Sequence, residues 1–249
     1  GGRVAGAPPS SPQGDLVRQH GPYGDEAWDP TVLPAPDPIL LTRPDPREAH
    51  TGVDMTSVAS FGGEVFFGGR RGDGQLLGDT WLLKRTNNVL GADYGYEWKN
   101  MQAAVMNPDP FGGRREHTAV LAAPYNQMIV FGGRTDNDQP LNDVWRLYWN
   151  SSASRWEWAK VQITSGTPPT ARYGHTAFFE SRILHVAPNQ PQTVNRMIVY
   201  GGAGNPGEAP ADQKVYELRF TSATQAYWAE LPETTLVGVT ASPAPRKGH

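Results

Sequence analysis

Short apolar stretches, separated by polar and turn-forming residues, recur along this chain of 249 residues. The run Met128–Phe131 is apolar at every position, which is typical of a strand that is covered on both faces. Gly, Pro, Asn and Asp bound such stretches, and no segment keeps a helical period over its length. The pattern therefore predicts an all-β fold.

A pair of glycines marks the same point in each of several sequence repeats. The pairs are Gly68-Gly69, Gly132-Gly133 and Gly201-Gly202, and the chain itself opens on Gly1-Gly2. Self-similarity at a roughly even spacing is the signature of a repeat architecture. Each pair ends an apolar run, where positive φ or the close approach of another segment excludes a Cβ atom. We expect the pairs to close the second strand of each unit.

Further marks recur in a fixed order within each unit. An arginine opens the unit and is followed three residues later by a His-Thr pair, which begins the first strand. The third predicted strand carries an aromatic residue, and the fourth carries a tryptophan. These positions are Trp81, Trp145 and Tyr216 for the third strand, and Trp98, Trp156 or Trp158, and Trp228 for the fourth. Large side chains at these positions are predicted to fill the space between neighbouring units.

The ordered marks resemble the kelch family of β-propellers, over essentially the whole chain as one propeller segment. The resemblance implies a kelch-type β-propeller fragment with three complete four-stranded blades, in residues 46–110, 111–170 and 171–245. Residues 1–45 are expected to be the outer half of a preceding blade, and 246–249 the start of a following one. We therefore expect a piece of a longer protein, whose remaining blades pack against this one.

The units also depart from the family pattern in length and detail. They exceed the usual period of about 50 residues, so extra residues are expected in loops, among them 182–196. The third unit has Lys214 where the other two have Asp79 and Asp143. It also has Ala203 where the others have an arginine after the glycine pair.

Composition and charge narrow the possible functions. A net charge of -3 and a pI near 6.1 give no electrostatic footprint for nucleic acid or for an anionic membrane, so neither is expected as a partner. The chain has no cysteine, which excludes disulfides, thiolate metal sites and cysteine nucleophiles within it. The localisation of the protein is left open by these features.

Six histidines are candidates for metal binding or catalysis: His20, His50, His117, His175, His185 and His249. Four of them, His50, His117, His175 and His249, occupy the same position of successive units. Equivalent positions in successive blades are spread around a ring, so these side chains are not expected to converge on one ion. We predict hydrogen-bonded structural histidines, no metal site, no cofactor and no catalytic residue.

Arginines are the stronger candidates for a binding site, and they form two sets. Arg47, Arg114, Arg172 and Arg246 open the units, and Arg3, Arg70 and Arg134 directly follow glycine pairs. In kelch adaptors that recruit acidic peptides, arginines at these positions line the mouth of the central channel. The resemblance thus implies a cationic ring on one face, whose unpaired guanidinium groups bind carboxylates or phosphates. The alternative is structural, with the arginines hydrogen-bonded to loop carbonyls or paired with Asp79 or Asp143.

One modification site is indicated by sequence alone. Asn150-Ser151-Ser152 is a sequon for N-glycosylation, and we predict that it lies in the loop between the third and fourth strands of its unit. Asn150 would carry a glycan only if the parent protein is secreted.

Two classes of function remain. The favoured hypothesis is a non-catalytic scaffold module that binds a protein or peptide partner, acidic in one version, through loops on one propeller face. The alternative is the propeller domain of a kelch-like enzyme, a sugar-acting oxidase or mutarotase or an iron-dependent specifier protein, with its active site outside this fragment. The oxidases need a tyrosine that is crosslinked to a cysteine, and this chain contains no cysteine. An iron site needs clustered carboxylates, and the candidates Asp109, Glu116, Glu180 and Glu208 are scattered.

Overall fold

The described part of the chain contains three sheets built from consecutive strands. The computed structural model describes residues 43–86, 95–101, 103–105, 111–187, 190–204, 212 and 214–232. Within these ranges the one helical element is a single 3-10 turn at Ala123–Tyr125, so the all-β prediction is confirmed. No helix in this part is long and apolar enough to span a bilayer.

The first blade contains four antiparallel strands in sequence order. They are β1 (Thr51–Asp54), β2 (Glu64–Phe67), β3 (Thr80–Thr86) and β4 (Gly95–Asn100). Phe67 at the end of β2 pairs with Thr51 on one side and Thr80 on the other. The sheet therefore follows the order that the repeat predicts.

The second and third blades keep this order and add a short parallel strand at the outer edge. The second blade contains the antiparallel strands β6 (Thr118–Ala122), β7 (Gln127–Phe131), β8 (Val144–Asn150) and β9 (Arg155–Lys160). The short strand β5 (Ala104–Val105) pairs parallel with β9 at the outer edge. The third blade contains the antiparallel strands β11 (Tyr173–Ala187), β12 (Gln190–Ala203), β13 (Val215–Phe220) and β14 (Gln225–Leu231). The short strand β10 (Gln162–Ile163) pairs parallel with β14 at the outer edge. The four predicted antiparallel strands are confirmed. The fifth strands were not predicted, because two-residue pairings leave no pattern in a sequence.

The first strand of each blade lies innermost, next to the first strand of its neighbour. Thr51 on β1 and His117, which directly precedes β6, share a hydrogen bond of 2.8 Å. Thr118 on β6 and His175 on β11 repeat the contact at 2.8 Å. The first strands of neighbouring blades are therefore adjacent, as strands around a propeller axis are.

Apolar side chains fill the spaces between blades. One buried cluster joins Phe67 of the first blade to Trp145 and Trp158 of the second. A second cluster joins Phe131 of the second blade to Trp228 of the third. All five residues of β7 are buried, because alternate positions face the two neighbouring blades. The prediction of a strand covered on both faces is confirmed.

The glycine pairs lie where one blade meets the start of the next. Gly133 has φ of 93°, and its N–H donates to the carbonyl of Arg172 in the third blade at 2.9 Å. A Cβ on Gly132 would stand 2.8 Å from the same oxygen. Gly69 repeats the bond with the carbonyl of Arg114 at 2.9 Å. Both the positive φ and the close approach expected from the sequence are present.

One predicted loop is a strand instead. The segment 182–196 was expected in a loop, but β11 and β12 pair from Tyr173 and Ala203 out to Ala187 and Gln190. In the second blade the same connection is only the turn that contains Ala123–Tyr125. In the extension Ile183 is exposed opposite Thr193, whereas Val194 opposite Arg182 is buried.

Candidate functional site

The arginines singled out in the sequence lie at one end of the blades. Each first strand begins at this end, and each second strand finishes there, so Glu48 is bridged to Arg70 and Arg115 to Arg134. We call this end the arginine face; its members are residues 47–49, 70–71, 114–116, 134–138 and 172–174. Among the described residues the two arginine sets thus lie at the same end of the blades, and their role as a binding site stays a prediction.

The arginines that open the units are buried and paired. Arg114 donates from Nη1 and Nη2 to the two carboxylate oxygens of Asp143, at 2.7 and 2.9 Å, and from Nη1 to the carbonyl of Gly132 at 3.0 Å. Arg47 makes the same bidentate pair with Asp79, at 2.6 and 2.8 Å. Only 2% of the Arg114 side chain is exposed. These guanidinium groups hold the glycine turns in place.

The third unit makes the same pair with a carboxylate from a different position. Arg172 donates to Asp212 at 3.0 Å, and the Tyr216 hydroxyl donates to the same oxygen at 3.0 Å. In strand register Lys214 does occupy the position of Asp79 and Asp143, as the sequence comparison placed it, because Tyr216 pairs with Val199 as Trp145 pairs with Val130. Lys214 instead pairs with Glu230 at 2.7 Å. The carboxylate comes from two residues earlier, so the aromatic partner follows the aspartate by four residues here and by two in the other units.

Tryptophan completes the arrangement in the first two units. The indole Nε1 of Trp145 donates to Asp143 at 2.6 Å, as Trp81 does to Asp79. Burial raises the pKa of each aspartate, but hydrogen bonds from the arginine and the tryptophan outweigh it and hold the pKa below its usual value. Both carboxylates are therefore ionised at neutral pH. The arrangement is a repeated structural ion pair.

The arginines that follow the glycine pairs are closer to solvent, but they are also paired. Arg70 donates to Glu48 at 2.5 Å, and 34% of its side chain is exposed. Arg134 pairs with Glu116, and its Nη1 lies 3.3 Å from Asp138. The Arg134 guanidinium also lies over the ring of Tyr173, at 4.3 Å from the centroid.

The arrangement overturns the expected ring of unpaired cations. Arg47, Arg70, Arg114, Arg134 and Arg172 each have a carboxylate partner within 4 Å, where the hypothesis required none. Arg115, which the sequence analysis did not single out, pairs with Asp138. Near the surface, the arginine face therefore combines four arginines with four carboxylates, namely Arg70, Arg71, Arg115 and Arg134 with Glu48, Glu116, Asp136 and Asp138. Arg3 and Arg246 lie outside the described residues.

Backbone geometry adds a feature that the sequence reading missed. Ala49 and Glu116 both have φ of 56°, and the equivalent Gly174 has 61°. The N–H of Glu116 donates to the carbonyl of Ala49 at 3.0 Å, and that of Gly174 to the carbonyl of Glu116 at 2.9 Å. The left-handed conformation is thus held by hydrogen bonds between blades. Only Gly174 gave a sequence signal, since alanine and glutamate do not indicate positive φ.

Two histidines at the strand starts are hydrogen-bonded between blades, as predicted for this position. His117 and His175 hydrogen-bond across blades to Thr51 and Thr118. Burial lowers the pKa of His117 well below its usual value, and it lowers that of His50 to about 4. These side chains are therefore neutral at physiological pH. The side chains of His20, His185 and His249 lie outside the described residues.

The described residues bring no metal-binding group together. They contain no cluster of three or more His, Asp or Glu side chains suited to an ion. Of the scattered carboxylates, Glu116 pairs with Arg134 and Glu180 with Arg196. Asp109 and Glu208 lie outside the described residues. The expected absence of a metal, a cofactor and a catalytic residue stays a prediction.

Asn150 lies at a different place from the one predicted. It is the last residue of β8 rather than part of the following loop. Its side-chain nitrogen donates to Glu157 at 2.9 Å, and its oxygen accepts the backbone N–H groups of Ser152 and Ala153. Hydrogen bonds from Asn150, Tyr148 and Arg155 lower the pKa of Glu157 to about 2. The sequon nitrogen is thus already hydrogen-bonded to Glu157, and glycosylation of Asn150 stays a prediction.

Comparison with known proteins supports the reading of the repeats. Residues 65–187 match the family model described as the KLHDC2/KLHL20/DRC7 Kelch-repeats domain. The chain is similar to an F-box/kelch-repeat protein of Arabidopsis thaliana, with 27% identity over 192 residues, which is 74% of this chain and 33% of that protein. It is also 32% identical over 131 residues to dynein regulatory complex subunit 7 of Chlamydomonas reinhardtii, covering 52% of this chain and 10% of the relative.

Two further similarities have the same partial extent. Adagio-like protein 1 of Oryza sativa subsp. japonica is 34% identical over 124 residues, which is 50% of this chain and 16% of the relative. The chain thus spans a third or less of the length of these three curated relatives. A solved structure, that of YjhT, aligns with a TM-score of 0.46 and 17% identity over 82% of this chain and 55% of the other.

Proposed function

This chain carries kelch repeats, and we propose on that premise that it is a non-catalytic protein-interaction module that binds a protein or peptide partner at the arginine face. The relatives support this class of function. One is by name a subunit of a protein complex, the dynein regulatory complex, and another is an F-box/kelch-repeat protein.

The observation that carries the proposal is the exposed alternation of charges on the arginine face. Arg70 has 34% of its side chain exposed and Asp138 has 42%, whereas Arg47 and Arg114 are buried. Exposed ion pairs contribute only about 0–1 kcal/mol, so a partner that offers its own carboxylate to Arg70 displaces Glu48 at little cost. The buried pairs beneath keep the backbone fixed while this exchange takes place.

The same alternation indicates the chemistry of the partner. Four arginines and four carboxylates lie near the surface, so this part of the face has no excess of positive charge. A purely acidic peptide meets repulsion from Glu48, Glu116 and Asp138. We therefore favour a partner segment that carries both carboxylates and basic groups over the purely acidic peptide that the sequence analysis suggested.

An array of synthetic peptides tests the proposal with the full chain as probe. Peptides of equal length carry acidic, basic or alternating charge, and bound protein is measured at low and moderate salt. We expect the alternating series to be retained most strongly, and Arg70→Ala to weaken retention about tenfold, which corresponds to ~1.4 kcal/mol. Arg182→Ala, at the exposed extension of β11, is the matched control and leaves retention unchanged. Retention of the acidic series alone, or equal loss in both variants, would refute the proposed site.

A further inference from the structure

A two-stranded extension projects from the third blade at the end opposite the arginine face. β11 and β12 stay paired as far as Ala187 and Gln190, whereas β6 of the second blade ends at Ala122. Glu180 is the counterpart of Ala122, since each follows the histidine at its strand start by five residues. Residues 181–187 therefore extend beyond the strands of the second blade by roughly 23 Å, at a rise of about 3.3 Å per residue.

Side-chain hydrogen bonds hold the base of this extension against the second blade. Ser181 Oγ donates to Asn195 Oδ1 at 2.7 Å, and Asn195 Nδ2 donates to the hydroxyl of Tyr125 at 3.1 Å. Tyr125 belongs to the 3-10 turn of the second blade, and its ring packs on Phe220 with the centroids 5.7 Å apart. These contacts fix the direction in which the extension leaves the blade.

One long edge of the extension has no neighbouring strand among the described residues. β11 is the last strand in the order of its sheet. The N–H of Gly174 points away from β12, to the carbonyl of Glu116 at 2.9 Å. Backbone groups on one edge of a strand recur at every second residue, and the register of β11 with β12 has no shift before His185. Arg182 and Leu184 therefore turn their N–H and C=O groups outward, and such an edge is a template for another strand.

The extension combines an exposed apolar side chain with little charge. Ile183 is 61% exposed, and Thr193, which lies opposite to it on β12, is exposed as well. Arg182 is the one formally charged residue in the sequence between 181 and 195. Residues 181–187 contain no proline, and apolar segments of low charge without proline are the ones that pair edge to edge. Such a segment needs no oppositely charged partner and is suited to pairing with a copy of itself.

We propose that two copies of this chain associate through the β11 edges of their extensions, antiparallel and about a twofold axis at Ile183. A twofold contact uses the same patch on both copies. In this register Arg182 of each copy lies opposite Leu184 of the other, so the outward backbone groups meet. The two Ile183 residues form the non-hydrogen-bonded pair between them, with Cα atoms about 4.5 Å apart and their side chains in contact. The pairing thus buries the apolar side chain that a single chain leaves exposed.

The contact is small and differs from the arginine face in its response to salt. A few paired residues bury less than the roughly 1,000 Å² of a stable interface, so we expect half-association at about 100 µM. Side chains alternate along a strand, so Arg182 lies on the face opposite Ile183, diagonal to its copy. Salt screens the repulsion between the two arginines, so it should strengthen this association. Binding through the ion pairs of the arginine face weakens with salt, which separates the two associations.

Sedimentation equilibrium of the full chain tests the proposal. Between about 5 and 500 µM, the wild-type mass should rise from that of one chain toward that of two. Ile183→Lys places two like charges directly opposite one another, so we expect it to weaken association at least about tenfold. Thr193→Lys is the matched control, because it adds the same charge on the same face but one strand away from the contact. It should leave the association unchanged.

A disulfide reports the register itself. The chain has no cysteine, so Ile183→Cys introduces a single thiol per chain, and oxidised glutathione supplies the oxidant. A Cα separation of about 4.5 Å lies within the range of about 4.4–6.8 Å that a disulfide spans. In the same dimer the Cα atoms of Thr193 stand about 14 Å apart, one strand further out on each side. We therefore expect a crosslinked dimer on a non-reducing gel for Ile183→Cys, with a yield at least about tenfold above that of Thr193→Cys.

Three outcomes would overturn the proposal. A wild-type chain that stays single up to about 500 µM would leave the edge to a different protein. Equal crosslinking of the two cysteine variants would contradict the register. Association that Thr193→Lys weakens more than Ile183→Lys would assign the contact to the β12 edge. Ile183 and Thr193 are exposed and lie outside the buried clusters, so none of these substitutions is expected to unfold the chain.

Discussion

Two sets of arginines lie on the same face of this protein and have different surroundings. Arg47, Arg114 and Arg172 are 4%, 2% and 0% exposed, and each holds a carboxylate and a glycine carbonyl. The arginines after the glycine pairs hold carboxylates too, but these pairs reach solvent. Recurrence in every repeat unit therefore does not identify a ligand site. Burial separates the arginines that build the blade from those available to a partner.

The difference follows from where each side chain meets the glycine turn. Arg114 reaches under the turn to the carbonyl of Gly132 and to Asp143, beside the ring of Trp145. Arg134 leaves the turn on its outer side and meets Glu116, which belongs to the start of the same blade. One set thus fixes the end of the second strand against the third, while the other covers the surface above it.

The largest effect is expected for the aromatic residue that supports the buried set. Trp145 is 1% exposed and packs between the first and second blades against Phe111, with ring centroids 4.5 Å apart. Trp145→Ala removes this contact and one hydrogen bond to Asp143, so we expect a loss of about 3–5 kcal/mol in the free energy of unfolding. Urea denaturation measures it. An unchanged urea midpoint would mean that the Trp145 ring does not stabilise the interface between the two blades.

A somewhat smaller effect is expected when the buried ion pair is broken. Arg114→Met leaves Asp143 without its bidentate partner and Gly132 without a donor, which we expect to cost about 3 kcal/mol. The double variant Arg114→Met with Asp143→Leu removes both charges and should recover part of that loss. If the single variant unfolds at the wild-type urea concentration, the buried set is not structural.

The sequence predicted the blades well because the features that specify them are periodic. Glycines at Gly132-Gly133, the apolar run of β7 and the tryptophans recur in register, and each has a local physical cause in positive φ or burial. The extension of β11 and β12 was missed because its exposed residues, such as Ile183, show no regular alternation of buried and exposed positions. The edge strands depend on a connector meeting a distant strand, which no local pattern records.

The binding site was harder to predict, because the relevant property is pairing in space. Arg114 and Asp143 are 29 residues apart in sequence, and Arg172 takes Asp212 from a loop whose length differs from that of its counterparts. A sequence shows that the residue types of an ion pair are present, but it does not show which carboxylate lies next to which arginine in the folded chain. The resemblance to the family therefore led us to expect a ring of unpaired arginines, and the carboxylates that pair with them in this chain show that expectation to be wrong.

A further expected effect appears with pH and involves the histidines beneath the arginine face. An unfolded histidine titrates near 6.5, whereas burial keeps the pKa of His117 well below that. The unfolded chain thus binds more protons as pH falls below 6.5. The stabilisation is complete above that pH and is lost as pH falls toward the folded pKa, by up to about 1.4 kcal/mol per pH unit for each histidine.

His117→Gln checks this assignment. The variant should lose less free energy of unfolding than the wild type when urea denaturation is compared at pH 7 and pH 5. Asp79 and Asp143 cannot produce a loss in this range, since their lowered pKa values confine their contribution to pH below about 4. Equal losses in variant and wild type would assign the pH dependence to other groups.

The smallest effect on stability is expected for the exposed set, and it completes the comparison. Arg70 and Glu48 have side chains that are 34% and 22% exposed, so Arg70→Ala should change the free energy of unfolding by no more than about 1 kcal/mol. Salt screens a pair in this position, so the difference between variant and wild type should shrink as ionic strength rises. Urea denaturation at two salt concentrations measures both quantities. A loss comparable to that of Arg114→Met would place Arg70 among the structural arginines and remove the physical basis for partner binding at this face.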